Sequence, residues 1–281
     1  MLAAFLFSTG GAAIKAADFG PWQVASFRSG IATLVLLLVV PWARHAFGWR
    51  TALVGVAYAA TLICFVLANR LTTSANTIYL QSTAPLYLLL LGPWLLREPI
   101  RRRDLPVIAA VVGGLVLVFL GADHPSATAP DPARGNLLAL ASGLSYALLI
   151  CGLRWLGRDG AAHDRAIAAV ILGNLIAFVA TLPLALPLGT HSAVGWGVVT
   201  YLGAFQIAGA YLLVTKGLRQ VRALEASLFL LVETALNPLW SWLLLREVPT
   251  TWAMAGGALI ILATVAQAAH AGNQPATFEA A

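Results

Sequence analysis

Glu233 lies near the middle of an apolar run, residues 222–244. A charged carboxylate at the centre of a bilayer costs roughly 2.5–3.5 kcal/mol on insertion scales. Such a group must be protonated, paired or turned toward water. The first and last of these make a proton site or a contact for a cationic group on a solute; the second makes a structural bond between helices. Glu225, Phe229 and Asn237 share its spacing of four, so the stripe drifts slowly around a helix. A second polar and aromatic face runs through Asn76, Tyr79, Thr83 and Tyr87, at spacings of three and four. The substrate-binding candidates are Asn76, Tyr79, Thr83, Tyr146, Phe229, Glu233 and Asn237, with Glu233 also the candidate for coupling to a proton. The competing reading is a packing face whose hydroxyls bond to neighbouring helices. Ser8, Thr9, Ser142, Ser145, Tyr201, Phe205, Gln206 and Tyr211 are weaker candidates. Arg28 reads as a packing or ion-pairing group, or one that reaches to the interface, rather than a substrate contact. Lys15, Arg97-Glu98 and Arg246-Glu247 read as groups at the interface.

Other chemistries lack their residues. There is no HExxH and no GxxxxGK[ST], so neither a zinc protease nor ATP-driven transport by this chain is supported. Cys64 and Cys151 lie inside apolar segments without CxxC spacing and read as small buried hydrophobes. The five histidines fall at or near loops. The expectation is no catalytic residue, no metal and no cofactor, and nothing resembles a channel filter.

The elements that must position Glu233 follow from composition. Of 281 residues, 60% are apolar and 10% charged, against about 25% charged in soluble domains. That is a membrane protein. The net charge of +6 comes from basic residues in short gaps between apolar runs, which favours a lipid-facing collar over nucleic-acid binding.

A helix needs about 20 mostly apolar residues to cross a bilayer. Ten segments qualify, at 1–17, 21–42, 50–69, 73–95, 104–121, 134–154, 165–187, 193–215, 222–244 and 250–270. They are too long and too little alternating for barrel strands, so the fold class expected is an all-α membrane protein of ten transmembrane helices. Residues 123–133, rich in Pro, Ser, Thr and Asp character, read as an external linker, and 271–281 as a disordered tail.

With both termini in the cytoplasm, the inner gaps hold Arg44, Arg50, Arg97, Arg101, Arg102, Arg103, Arg154, Arg158, Arg165, Lys216, Arg219 and Arg222. The outer side holds Lys15, Arg70, Arg134 and Arg246, an asymmetry that sets orientation. Displaced by 149 positions, Leu71–Glu98 falls on Gln220–Glu247, and the two Arg-Glu endings coincide. Five spans per half is an odd number, so the second half inserts upside down. The paired loops carry inverted charge accordingly: Arg101, Arg102 and Arg103 follow the first copy, and no such cluster follows the second. Two inverted five-helix repeats, residues 1–122 and 134–270, are therefore expected, an arrangement of secondary transporters.

This layout resembles the drug/metabolite transporter superfamily, and within it the EamA family of ten-helix exporters. The resemblance rests on Pro85 before a helix ending in Arg97-Glu98, on Val232-Glu233 before Arg246-Glu247, and on the pairs Gly113-Gly114 and Gly256-Gly257. Thr234 stands where the family commonly has proline, and Pro238 comes later. The chain looks most like the YddG-type exporters, which implies export of aromatic and other neutral amino acids across a bacterial inner membrane by alternating access. Nucleosides, drugs and other metabolites are the alternative substrates. The partners implied are an amino-acid solute, the lipid bilayer and a proton as candidate coupling ion, with no nucleic acid.

Overall fold

The computed structural model describes residues 2–95, 102–121, 125–157, 162–217 and 223–272, without side chains at 103, 162–163, 215–217, 223–231 and 267–272. Arg97 and Glu98, most of the expected tail and part of the expected linker lie outside the described residues. Among those described, every regular element is helical. Beside short 3₁₀ helices at Pro41–Ala46 and Arg102–Asp104, these are in chain order α1 (Leu2–Ser8), α2 (Gly10–Ala16), α3 (Pro21–Val39), α4 (Trp49–Leu71), α5 (Ser74–Gln81), α6 (Ala84–Leu95) and α7 (Leu105–Leu120). Then come α8 (Pro132–Leu156), α9 (Ala162–Ala185), α10 (Ala193–Tyr201), a π-helical stretch (Leu202–Gly209), α11 (Ala210–Gly217), α12 (Ala223–Leu245) and α13 (Thr251–Gly272).

Pro21–Val39, Trp49–Leu71, Pro132–Leu156, Asp164–Ala185 and Ala193–Val214 are long and apolar enough to cross a bilayer, and Leu2–Ala16, Leu105–Leu120 and Thr251–Ala266 are shorter apolar helices. Burial follows the same logic. Leu34, Leu38, Leu120, Val179 and Leu244 are exposed, while Asn69, Asn76, Asn136, Asn174 and Asn237 are fully buried. Apolar side chains outside and amides inside is the pattern that lipid imposes. The chain is a multi-pass helical membrane protein.

Several apolar runs are interrupted, each for a local reason. The run 73–95 breaks between α5 and α6 because Pro85 has no N–H to offer the preceding turn. The Ser82 and Thr83 hydroxyls donate instead to the carbonyls of Ile78 (2.7 Å) and Leu80 (2.6 Å). The run 1–17 bends at Thr9, whose hydroxyl donates to the Leu6 carbonyl at 2.7 Å and meets the Tyr201 hydroxyl at 2.9 Å. The run 193–215 continues through the π-helical stretch, which shifts the register of Phe205 and Gln206: Phe205 faces outward and Gln206 is buried.

Packing is layered. Helix α4 lies along α8 and α9, α3 along α9 and the π-helical stretch, and α7 along α13. Helix α12 lies along α1 and α2, while α5 and α6 lie against α8. Helices α7 and α13 touch backbone to backbone at Gly114 and Gly256, where a Cβ on Gly256 would stand 2.5 Å from the Gly114 carbonyl oxygen. Gly114, Gly256 and Gly257 therefore serve close packing within the chain.

Candidate substrate site

A cavity of about 250 Å³ opens between the helices. Arg28 reaches it from α3, Tyr58 and Thr61 from α4, and Gln81 from the end of α5. Tyr146 reaches it from α8, Gln206 from the π-helical stretch, Tyr211 from α11 and Glu233 from α12. The breaks described above thus fall at the cavity: Gln81, Ser82 and Pro85 line it at the α5–α6 interruption, and Gln206 and Ile207 at the π-helical one. Interrupted helices in a membrane are tolerated where they border a water-filled space.

Polar contacts fix the wall. Gln81 Nε2 donates to Ser142 Oγ at 2.8 Å, and Ser142 Oγ donates to the Thr61 carbonyl at 3.1 Å, tying α5, α8 and α4 together. Ser82 and Thr234 hydroxyls meet at 3.2 Å, joining α5 to α12. The rings of Tyr58 and Tyr211 pack edge to face at 5.3 Å, as do Phe7 and Tyr211. Glu233 makes no hydrogen bond or ion pair with another described residue, and its side chain borders the cavity. Arg28 is 1% exposed and donates from Nη2 to the Leu62 carbonyl at 3.3 Å, while its Nε has no acceptor among the described residues.

Of the seven candidates read from the sequence, Tyr146 and Glu233 are brought together in the cavity wall. Asn76, Tyr79, Thr83 and Asn237 stand elsewhere. Asn76 is buried beside Thr72, to whose hydroxyl its Nδ2 reaches at 3.5 Å. Tyr79 packs its ring over Gly257 of α13. Thr83 bonds back to its own helix. Asn237 is fully buried in the region where Gly11, Asn69 and Ser74 meet. The side chain of Phe229 lies outside the described residues. Of the weaker candidates, Ser8 accepts a bond from Trp240 Nε1 at 2.9 Å and serves the α1–α12 contact.

A second polar cluster was not legible as one. Lys15 Nζ donates to both Glu247 carboxylate oxygens (3.1 and 3.0 Å), to the Thr72 carbonyl (2.9 Å) and to the Thr128 carbonyl (2.6 Å). Glu247 Oε1 also accepts from the Ser74 amide at 2.8 Å. The two side chains are 5% and 4% exposed, so neither reaches to the interface as expected. The chain turns at Arg246, whose φ of 56° is left-handed, and this points Glu247 back into the bundle. Ser74 starts α5 and Gln81 ends it, so this joint lies about 10 Å along the helix from the cavity wall at Gln81. Arg28, expected as a packing or ion-pairing group or one reaching to the interface, is buried among the helices and also lines the cavity, with no ion pair among the described residues.

Two pseudopaline exporters named CntI, from strains of Pseudomonas aeruginosa, are 25% and 27% identical over 95% of this chain and 93% of theirs. The uncharacterized transporter YetK of Bacillus subtilis is 27% identical over 66% of this chain and 57% of its own. A solved crystal structure superposes with a TM-score of 0.64 at 17% identity, over 97% of this chain and 96% of that one, and so shares its fold. Residues 1–120 and 133–266 both match the model of the EamA-like transporter family, and the chain belongs to that family.

Proposed function

We propose that the chain is a secondary exporter of amino acids, aromatic and other neutral ones, across a bacterial inner membrane. In this reading both termini are cytoplasmic. The halves 1–122 and 134–270 are inverted five-helix repeats joined by the external segment 123–133, and access to the cavity alternates between the two sides.

The observation that carries the reading is the make-up of the cavity wall. Arg28, Tyr58 and Gln81 come from the first half, and Tyr146, Tyr211 and Glu233 from the second. A solute held there is held by both halves, and moving one half against the other changes which side it meets. The packing supports the repeat. Exchanging the halves turns α4 on α8 into the π-helical stretch and α11 on α1, and α5–α6 on α8 into α12 on α1–α2. The pairs α3–α9 and α7–α13 each map onto themselves.

In this reading the Lys15–Glu247 pair, 3.0 Å apart and nearly sealed from solvent, closes the outer end. The cavity then loads from the cytoplasm, as export requires. Glu233 holds either a proton or the ammonium group of the solute, so an inward-moving proton displaces the cargo. The relatives named as exporters support the direction of transport. Their names also favour the second reading, export of a different metabolite. Cells expressing the chain and loaded with a panel of labelled amino acids test the choice. Accelerated loss of neutral amino acids supports the proposal, and unchanged loss of every one refutes it.

A further inference from the structure

The wall of the cavity holds a cation that the described residues do not satisfy. An arginine side chain carries five N–H donors and keeps its charge in proteins. Among the described residues Arg28 spends one of them, on the Leu62 carbonyl at 3.3 Å, and its buried Nε meets no acceptor. It forms no ion pair with a described carboxylate, Glu233 included, although both border the same cavity. A buried charge without a partner is costly, and natural proteins pair such charges or give them a ligand. The group that fits a planar guanidinium fork is a carboxylate, taken by two parallel N–H bonds. Tyr58 and Tyr211, packed edge to face at 5.3 Å, line the same cavity as Arg28.

We infer that Arg28 is the anchor for a substrate carboxylate, and that Glu233, from the opposite half, receives the ammonium group of the same molecule. The assignment rests on the exporter reading and sharpens it: the cargo carries a negative and a positive group at its two recognition points. A solute with only one of them leaves either Arg28 or Glu233 facing the cavity unpaired. The preference for the doubly charged molecule therefore comes from the penalty on the incomplete one. Truncation at Arg28 removes recognition of the carboxylate and leaves recognition of the amine.

Binding to the purified, detergent-solubilised full chain is measured with three probes. Phenylalanine has both groups, phenethylamine lacks the carboxylate, and N-acetylphenylalanine lacks the ammonium. Wild type binds phenylalanine tightest. Arg28→Gln weakens phenylalanine roughly tenfold or more, the scale of a lost charge-assisted pair, and then binds it no better than phenethylamine. Arg28→Lys restores part of the loss. Glu233→Gln gives the mirror result, with phenylalanine falling to the level of N-acetylphenylalanine. Equal wild-type affinity for phenylalanine and phenethylamine overturns the Arg28 assignment without any variant having to fold, and leaves amino-acid export standing. Binding of N-acetylphenylalanine but not phenylalanine, lost in Arg28→Gln, upholds the carboxylate anchor but overturns Glu233 as an ammonium site and the amino-acid reading. No saturable binding of any probe by wild type at millimolar concentration overturns both.

Discussion

Lys15 and Glu247 stand 3.0 Å apart, separated by 232 positions in the chain, and both are nearly sealed from solvent. Their joint gathers the end of α2, the turn before α5, the segment at Thr128 and the turn after α12 into one hydrogen-bonded knot. Removing one partner of a buried pair leaves the other charged and alone, at about 3–5 kcal/mol. Lys15→Met and Glu247→Gln should each lower thermal stability in detergent by that order. The double variant should lose clearly less than the two losses added, and strict additivity would mean that the pair is not coupled.

The contact of α7 with α13 makes a sharper distinction between neighbours. A Cβ at Gly114 would lie 2.7 Å from the Gly256 carbonyl oxygen, whereas one at Gly113 would meet only a Leu259 methyl at 3.5 Å. Gly114→Ala should destabilise by about 1–3 kcal/mol through overpacking, and Gly113→Ala should be nearly neutral. Equal unfolding temperatures for the two variants would contradict the close crossing.

Glu233 borders the cavity with no hydrogen-bond or ion-pair partner among the described residues. Glutamine at this position keeps the shape of the protonated acid and cannot release a proton. Glu233→Gln proteoliposomes should therefore lose the acceleration of efflux by an imposed pH gradient. Retention of the wild-type pH dependence would remove Glu233 from the coupling role.

Outside the membrane-spanning segments, Asp18 accepts from the Ser192 amide at 2.8 Å, just before α10. Bonding to Ser192 holds the Asp18 carboxyl below its ordinary range. A depressed value in the folded state means that the bond contributes at neutral pH and is lost as pH falls through the carboxylate range. Amide exchange at Ser192, followed from pH 7 downward against Asp18→Ala, should converge with the variant in acid. A protection difference that persists at low pH would contradict it.

How much of this was readable from the chain depended on the range of the interaction. Apolar runs such as 21–42, 50–69 and 134–154 are helices over nearly the same residues, because lipid makes hydropathy a local signal. Glu233 and Tyr146 stood out for the same reason, as polar groups inside such runs. The breaks at Thr9, Ser82–Thr83 and Leu202–Gly209 were less visible. Pro85 marked the second, but hydroxyls that bond back to their own helix look the same in sequence whether or not the helix continues. Spacing alone put Asn76, Tyr79 and Thr83 on one face, yet what that face meets, such as Gly257 under Tyr79, is a tertiary fact. The Lys15–Glu247 joint and the exposure of Arg28 to the cavity rest on contacts between distant segments and on one left-handed residue, Arg246.

The central claim is a carrier whose cavity, bounded by both halves, takes an amino acid. Counterflow measures it most directly: proteoliposomes containing the full chain are loaded with unlabelled phenylalanine and diluted into a trace of labelled phenylalanine. A transient accumulation of label above equilibrium, abolished when Arg28 and Glu233 are both replaced by glutamine, is the result predicted. Label that only equilibrates, at the same rate in empty vesicles, would contradict the account.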